Sequence, residues 1–191
     1  MKNSVTKNKN GFTLVELMVS VFVFSLIVGA IMGIFISGIE TQKRILRDQK
    51  IISELSYAME HISRSLRMAI RDNDGDCINQ GYNYQLIGNS GIRFLNYKNQ
   101  CQEYYLNLEE GKIYEKKSED ENYNPNTLPL KLTSENVIIS RFYFNEGGSG
   151  WHSSSGNQPK VMMNLQFKAI DDDLATILQT TISQRNINIS Q

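Results

Sequence analysis

From Leu17 to Ile39 the chain runs 23 residues without a charged side chain, and that run limits what the molecule can be. At about 1.5 Å of rise per residue it makes a helix of roughly 35 Å, enough to cross a bilayer core of about 30 Å. Glu16 stands immediately before it. A carboxylate inside hydrocarbon costs about 2.5 to 3.5 kcal/mol on insertion scales, so an acid at that threshold is kept when something pairs with it. The flanking sequence offers Glu16 no adjacent cation.

Upstream, residues 1–11 form a short polar segment with Lys2, Lys7 and Lys9 that ends in Gly11. A secretory signal places its small-residue cleavage site after the apolar region and so discards that region. Here the small residue precedes it. A cut between Gly11 and Phe12 keeps the apolar helix and creates a positively charged amine on Phe12, which is the cation that Glu16 lacks.

The order Gly11-Phe12-Thr13-Leu14-Val15-Glu16 before a long apolar helix resembles the class III signal of type IV pilins and type II secretion pseudopilins. The resemblance covers about 30 residues. It implies that a membrane-embedded aspartic prepilin peptidase cuts after Gly11 and methylates the new N-terminus, Phe12. It also implies that the Glu16 carboxylate meets the N-terminal amine of an adjacent subunit during assembly. Other pilin-like chains, a polytopic platform protein and, indirectly, a cytoplasmic ATPase are the partners that go with it.

Charge alone does not orient the span, because Lys43, Arg44, Arg47 and Lys50 balance the three leader lysines. The cysteines are more informative. The only two, Cys77 and Cys101, lie far from any metal-type spacing, and an even pair of this kind favours a disulfide in an oxidising compartment over two free thiols. The polar C-terminal region is therefore expected outside the cytoplasm. That region is acidic: residues 72–191 carry ten basic and fifteen acidic side chains, against seven and four in residues 40–71. Phosphate binding relies on clustered Lys and Arg, so no nucleic-acid partner is expected.

Beyond the span, Ile45, Ile52, Leu55, Met59, Ile62, Leu66 and Ala69 recur at helical spacing and predict an amphipathic helix over residues 40–71 that continues the span of residues 12–39. Its stripe is expected to be the face on which the following domain packs, with a partner-helix seam as the other reading. Gly29, Gly33 and Gly38 each cost about 1 kcal/mol against alanine in a helix. Gly29-x-x-x-Gly33 also permits close helix approach, and in filaments of the resembled family part of this helix loosens on assembly.

Asp72-Asn73-Asp74-Gly75-Asp76 ends the helix. The remainder, residues 72–191, alternates with period two, most clearly in Val161, Met163, Leu165, Phe167 and Ala169. Weaker strands are predicted over residues 82–87, 92–97, 103–108, 112–115, 137–144 and 176–189, with Glu109-Glu110-Gly111 as a hairpin turn. Residues 119–129 and 146–159 read as loops. The expected fold class is α+β, a long N-terminal helix with a mostly antiparallel β head.

Enzymatic chemistry has little support: His61 and His152 have no acid or nucleophile at a catalytic spacing, and no cofactor is expected. Asp72, Asp74 and Asp76 mimic the first ligands of a calcium loop, but Cys77 replaces the required glycine and Asn83 stands where a bidentate glutamate belongs. A looser calcium site there or at Asp171-Asp172-Asp173 stays open. Trp151 in its Gly- and Ser-rich loop is either a recognition anchor or a ring tucked onto the sheet, the second being favoured.

The expectation is a structural subunit held in the inner membrane by a single pass, with its head outside the cytoplasm, and then moved into a pilus or pseudopilus filament. The stretch Leu178 to Asn186 is similar to the C-termini of J-like pseudopilins and W-like minor pilins, which favours a minor subunit. A major pilin, or a tethered adhesin using the β head, is the alternative.

Overall fold

The computed structural model describes residues 11–146, 151, 158–170 and 175–185. The leader residues 1–10, His152 with most of the second predicted loop, Asp171-Asp172-Asp173 and Asn186 lie outside them. The chain divides into two compact units, Met1–Arg47 and Asp48–Gln191. Helix α1, Leu14–Arg67, contributes to both.

In the first unit α1 exposes its large apolar side chains, from Leu14 through Phe22, Phe24 and Phe35 to Ile39. Its hydroxyls do not interrupt the helix, since Ser20 donates to the Glu16 carbonyl at 2.7 Å and Ser25 to the Val21 carbonyl at 2.9 Å. Hydrogen bonds to the carbonyl four residues back let such groups sit in an apolar segment without stranded donors.

In the second unit the apolar stripe of α1 is core. Ile51, Leu55, Ala58, Met59, Ile62 and Leu66 are buried, and fully burying side chains such as Leu55, Ile62 and Leu66 is worth about 1.5 to 3 kcal/mol each. The stripe begins at Ile51, which is 5% exposed, and not at Ile52, which is 43% exposed; Ile45 is also outside it. Stepping back from Leu55 by four residues instead of three keeps the seam on the side that the sheets cover.

Eight strands follow: β1 Gln85–Ile87, β2 Gly91–Leu95, β3 Cys101–Asn107, β4 Lys112–Lys117, β5 Leu130–Lys131, β6 Val137–Glu146, β7 Lys160–Ala169 and β8 Thr176–Ser183. All neighbouring pairs are antiparallel, in a five-stranded sheet β1-β2-β3-β4-β5 and a three-stranded sheet β6-β7-β8. The α+β layout with an antiparallel head is the expected one. Inward residues of both sheets, among them Ile92, Phe94, Tyr104, Ile113, Phe142, Met163 and Leu165, join the helix seam in one hydrophobic cluster.

The predicted hairpin turn joins β3 to β4. The Asn107 side-chain oxygen accepts the Glu109 and Glu110 amides at 3.0 and 3.3 Å. Gly111 sits at φ +63°, where a Cβ would also lie 2.9 Å from Ile138 Cγ2, so this turn needs glycine twice over.

Two element ends depart from expectation for the same reason, that tertiary partners claim the backbone first. α1 stops at Arg67 and not Arg71, because the Ile70 amide bonds the Leu95 carbonyl at 2.9 Å and the Asp72 amide bonds the Tyr82 carbonyl at 3.0 Å. β8 ends at Ser183 because the Gln184 amide turns to the Pro159 carbonyl at 3.0 Å. Strand β5 has only two residues and follows Pro129, too short to show a period.

Candidate functional site

Ahead of α1 the chain builds a helix start next to a dipeptide, Gly11–Phe12, that lies outside the helix. Thr13 is the N-cap: its hydroxyl oxygen accepts the Glu16 amide at 3.3 Å and its carbonyl accepts the Leu17 amide at 3.2 Å. The threonine takes one of the four amides that no helical carbonyl can reach. Thr13-x-x-Glu16 is the sequence signature of a capping box, a signal that the reading of the resemblance passed over.

Because the first intrahelical acceptor is Thr13, the Gly11–Phe12 peptide unit lies outside the helix, and both residues are exposed. Glu16 falls in the first turn of α1, where the amide dipoles favour negative charge. Its carboxylate is exposed and has no partner among the described residues. A new amine on Phe12 would stand one residue outside the cap, at the same helix end as this acid.

Gly29, Gly33 and Gly38 are all inside α1, and a Cβ at any of them would meet nothing within 4 Å. The fold of the chain itself gives no reason for glycine there, although each costs helix stability. Among the described residues α1 is also the one helix long and apolar enough to cross a membrane.

In the second unit, the structure places the other singled-out residues in structural roles. Cys77 and Cys101 form a disulfide with a Cα–Cα distance of 5.3 Å, which fastens the segment after the helix to the start of β3. The Asp72 carboxylate is buried and faces inward, where Oδ1 accepts the Asp74 and Gly75 amides at 3.2 and 2.7 Å and Oδ2 accepts those of Cys77 and Ile78, both at 2.9 Å. Burial pushes its pKa up, but the four amide donors outweigh that and hold it below the ordinary aspartate value. With Asp72 turned inward and Asp74 and Asp76 exposed, the Asp72 carboxylate organises the loop through its backbone amides. Among the described residues no group of three metal-ligating side chains comes together.

Trp151 is buried, 4% exposed, with its indole N–H donating to the Lys160 carbonyl at 2.9 Å and its ring 5.7 Å from that of Tyr84. It is the tucked ring and not the exposed anchor. His61 sits 3.3 Å from the buried Glu115, whose other oxygen accepts Gln102 Nε2 at 2.6 Å and the Tyr104 hydroxyl at 3.4 Å; that hydroxyl bonds the Ser65 hydroxyl at 3.0 Å. Burial, and then the Glu115 charge, push the Tyr104 phenol far above its usual range. This polar seam ties α1 to β3 and β4.

The end of α1 is capped from a distance. The Leu66 carbonyl accepts the Tyr84 hydroxyl at 2.7 Å and the Arg67 carbonyl accepts the Arg185 amide at 2.7 Å; two residues past the helix, the Ala69 carbonyl accepts Gln184 Nε2 at 2.6 Å. The last carbonyls of a helix have no internal partner. Here chain segments up to about 115 residues further on supply the donors.

No curated protein and no solved structure matches this chain. The family described as the prokaryotic N-terminal methylation motif matches residues 6–32, the span that holds the Gly11–Phe12 unit, the Thr13 cap, Glu16 and the start of the apolar helix. The chain therefore carries the class III signal of type IV pilins and pseudopilins, the mark of a membrane-anchored, pilin-like subunit that a prepilin peptidase processes and that assembles with other pilin subunits.

Proposed function

We propose that the chain is a minor structural subunit of a type IV pilus or type II secretion pseudopilus, cut between Gly11 and Phe12 and methylated on Phe12. The observation that carries this reading is the methylation motif set directly on a helix whose apolar surface has no partner among the described residues. In the inner membrane the span is solvated by lipid; in the filament the same surface packs against the helices of neighbouring subunits, with the head outside the cytoplasm.

Within that packing, Glu16 of an incoming subunit neutralises the Phe12 amine of its neighbour. An unpaired acid or amine in an apolar filament core is expensive, so the pair fixes the axial register. Gly29, Gly33 and Gly38 allow close helix approach and local loosening where a side chain would keep helices apart. A buried Trp151 removes the main support for an adhesive loop.

The test is quantitative mass spectrometry of sheared surface filaments against the membrane fraction, for an N-terminal peptide starting at methylated Phe12. Processed protein found in trace amounts in filaments, with most in the membrane, is the expected result. Abundant processed protein in the filaments makes this a major pilin. An uncut N-terminus in a peptidase-competent cell overturns the assignment.

A further inference from the structure

Strand β8 is the outer strand of the three-stranded sheet. It pairs with β7 from Thr176 to Ser183 without a register break, and no strand adjoins its other side among the described residues. Such an edge presents half its backbone N–H and C=O groups to solvent, a template for another strand. Folded proteins guard long edges with lysine, proline, bulges or a covering segment.

The segment Thr176-Ile177-Leu178-Gln179-Thr180-Thr181-Ile182-Ser183 has no charge, no proline and no glycine. It is regular, rich in β-branched residues that favour strands, and open to solvent: Ile177 is 65% exposed, and Gln179 and Thr181 on the same face are exposed too. The other edges differ. β1 has three residues and β5 two. The far side of β6 is engaged at its start, with the Ile139 amide on the Gly111 carbonyl at 2.9 Å and the Val137 carbonyl on Lys112 Nζ at 2.6 Å; the strand then breaks register between Ile139 and Arg141, and its remainder carries the charges of Arg141 and Glu146. Among the described residues only β8 is a long edge that is also regular and uncharged.

We propose that β8 is an interaction edge that accepts an extended strand from a different pilin-type subunit, a proposal that rests on the filament-subunit reading above. Two copies of this chain joined β8 to β8 would use the same edge twice, an isologous contact that closes at two and cannot continue along a helical filament. A head-to-tail contact between copies needs a second edge that is regular and uncharged, and among the described residues the remaining long edge, β6, is broken between Ile139 and Arg141 and carries Arg141 and Glu146. The fitting partner is another chain with an uncharged extended segment of about eight residues, whose backbone supplies the hydrogen bonds and whose side chains meet Ile177, Gln179 and Thr181.

The experiment is hydrogen–deuterium exchange on the full processed chain in detergent, alone and co-purified with pilin-type subunits from the same cells. In the complex, amides of β8 that face away from β7 are expected to exchange at least about tenfold more slowly. Ile177→Lys and Thr181→Lys, both at exposed positions, are expected to reduce partner co-purification by about tenfold or more at an unchanged melting temperature. A pilin-type partner bound with no change in β8 exchange, or β8 protected only in a two-fold homodimer, overturns the edge proposal and leaves the filament reading intact. Absence of any pilin-type partner overturns the filament reading itself.

Discussion

Gln184→Leu tests whether the distant bonds that fasten the segment just past α1 carry the stability that their geometry assigns to them. Gln184 is fully buried, donates Nε2 to the Ala69 carbonyl at 2.6 Å and accepts Asn83 Nδ2 at 2.8 Å. Leucine has nearly the same volume and keeps the backbone bond to Pro159, so the substitution removes the two side-chain bonds and little else. Ala69 is itself buried, so water cannot replace the donor lost from its carbonyl. A stranded buried acceptor costs about 1 to 3 kcal/mol, which sets the expected loss at about 2 kcal/mol. For a unit of this size 1 kcal/mol moves the melting temperature by about 2 to 4 °C, so Gln184→Leu is expected to melt about 4 to 8 °C below the parent. The assay is thermal denaturation of the full chain in detergent, followed by near-ultraviolet circular dichroism, with Gln179→Leu on the exposed face of β8 as the control, expected within about 0.5 kcal/mol of the parent. A Gln184→Leu protein that melts with the Gln179→Leu control would refute that assignment.

Four further outcomes follow from the same geometry. Asp72 is held below its unfolded pKa, so its contribution to stability is complete above the ordinary aspartate value near about 4 and is lost as pH falls through the folded pKa; Asp72→Asn should weaken the fold at neutral pH and flatten the acid limb of a stability–pH curve. Reducing Cys77–Cys101, or replacing both with serine, should cost about 3 kcal/mol from the loop closed over a separation of 24 residues, read as a denaturant midpoint with and without reductant. Gly111→Ala meets both a positive φ and Ile138 Cγ2 at 2.9 Å and should destabilise by about 1 to 3 kcal/mol in the same titration. Glu16→Val should insert and be cut like the parent, since the acid lies beyond the scissile bond. Its recovery in filaments should fall at least about tenfold, because breaking a buried ion pair costs about 3 to 5 kcal/mol. Normal incorporation in an otherwise unaltered strain would exclude the pairing role.

The helix and the hairpins were legible because local patterns carry them. An uncharged run of membrane length, a 3-4 apolar repeat from Leu55 to Leu66, and Asn107 with Gly111 around a turn each report their own structure within a few residues. The register of the stripe was not legible at its start, since both Ile51 and Ile52 are apolar and only the sheets decide which is covered. The helix end at Arg67 was hidden for a related reason: the residues that stop it, Leu95, Tyr82 and Gln184, are distant in sequence. Asp72 looked like a cation ligand because its spacing to Asp74 and Asp76 is visible in the sequence, whereas the four amides that fill its carboxylate become visible only when the turn is folded. The Thr13 cap was readable from Thr13-x-x-Glu16, and it matters because it keeps the Gly11–Phe12 bond out of the helix.

The two units differ in how far they satisfy themselves. In the second, Asp72, Glu115, Trp151 and the last carbonyls of α1 all find partners inside the fold. In the first, the Glu16 carboxylate, the helical glycines and the apolar side chains find none among the described residues. A polar group left open at the edge of an apolar segment is costly to keep, so the unmatched groups mark where other molecules must act. In the proposed filament, Glu16 and the helix surface suit any subunit that carries the same signal and would set axial position without selecting a neighbour. Selection needs a feature that differs between subunits. The proposed β8 edge is of that kind, because a strand is accepted or refused by register and side chains. The prediction that separates the two roles is that Glu16→Val loses assembly with every partner, whereas Ile177→Lys loses one neighbour and still enters the membrane and is cut.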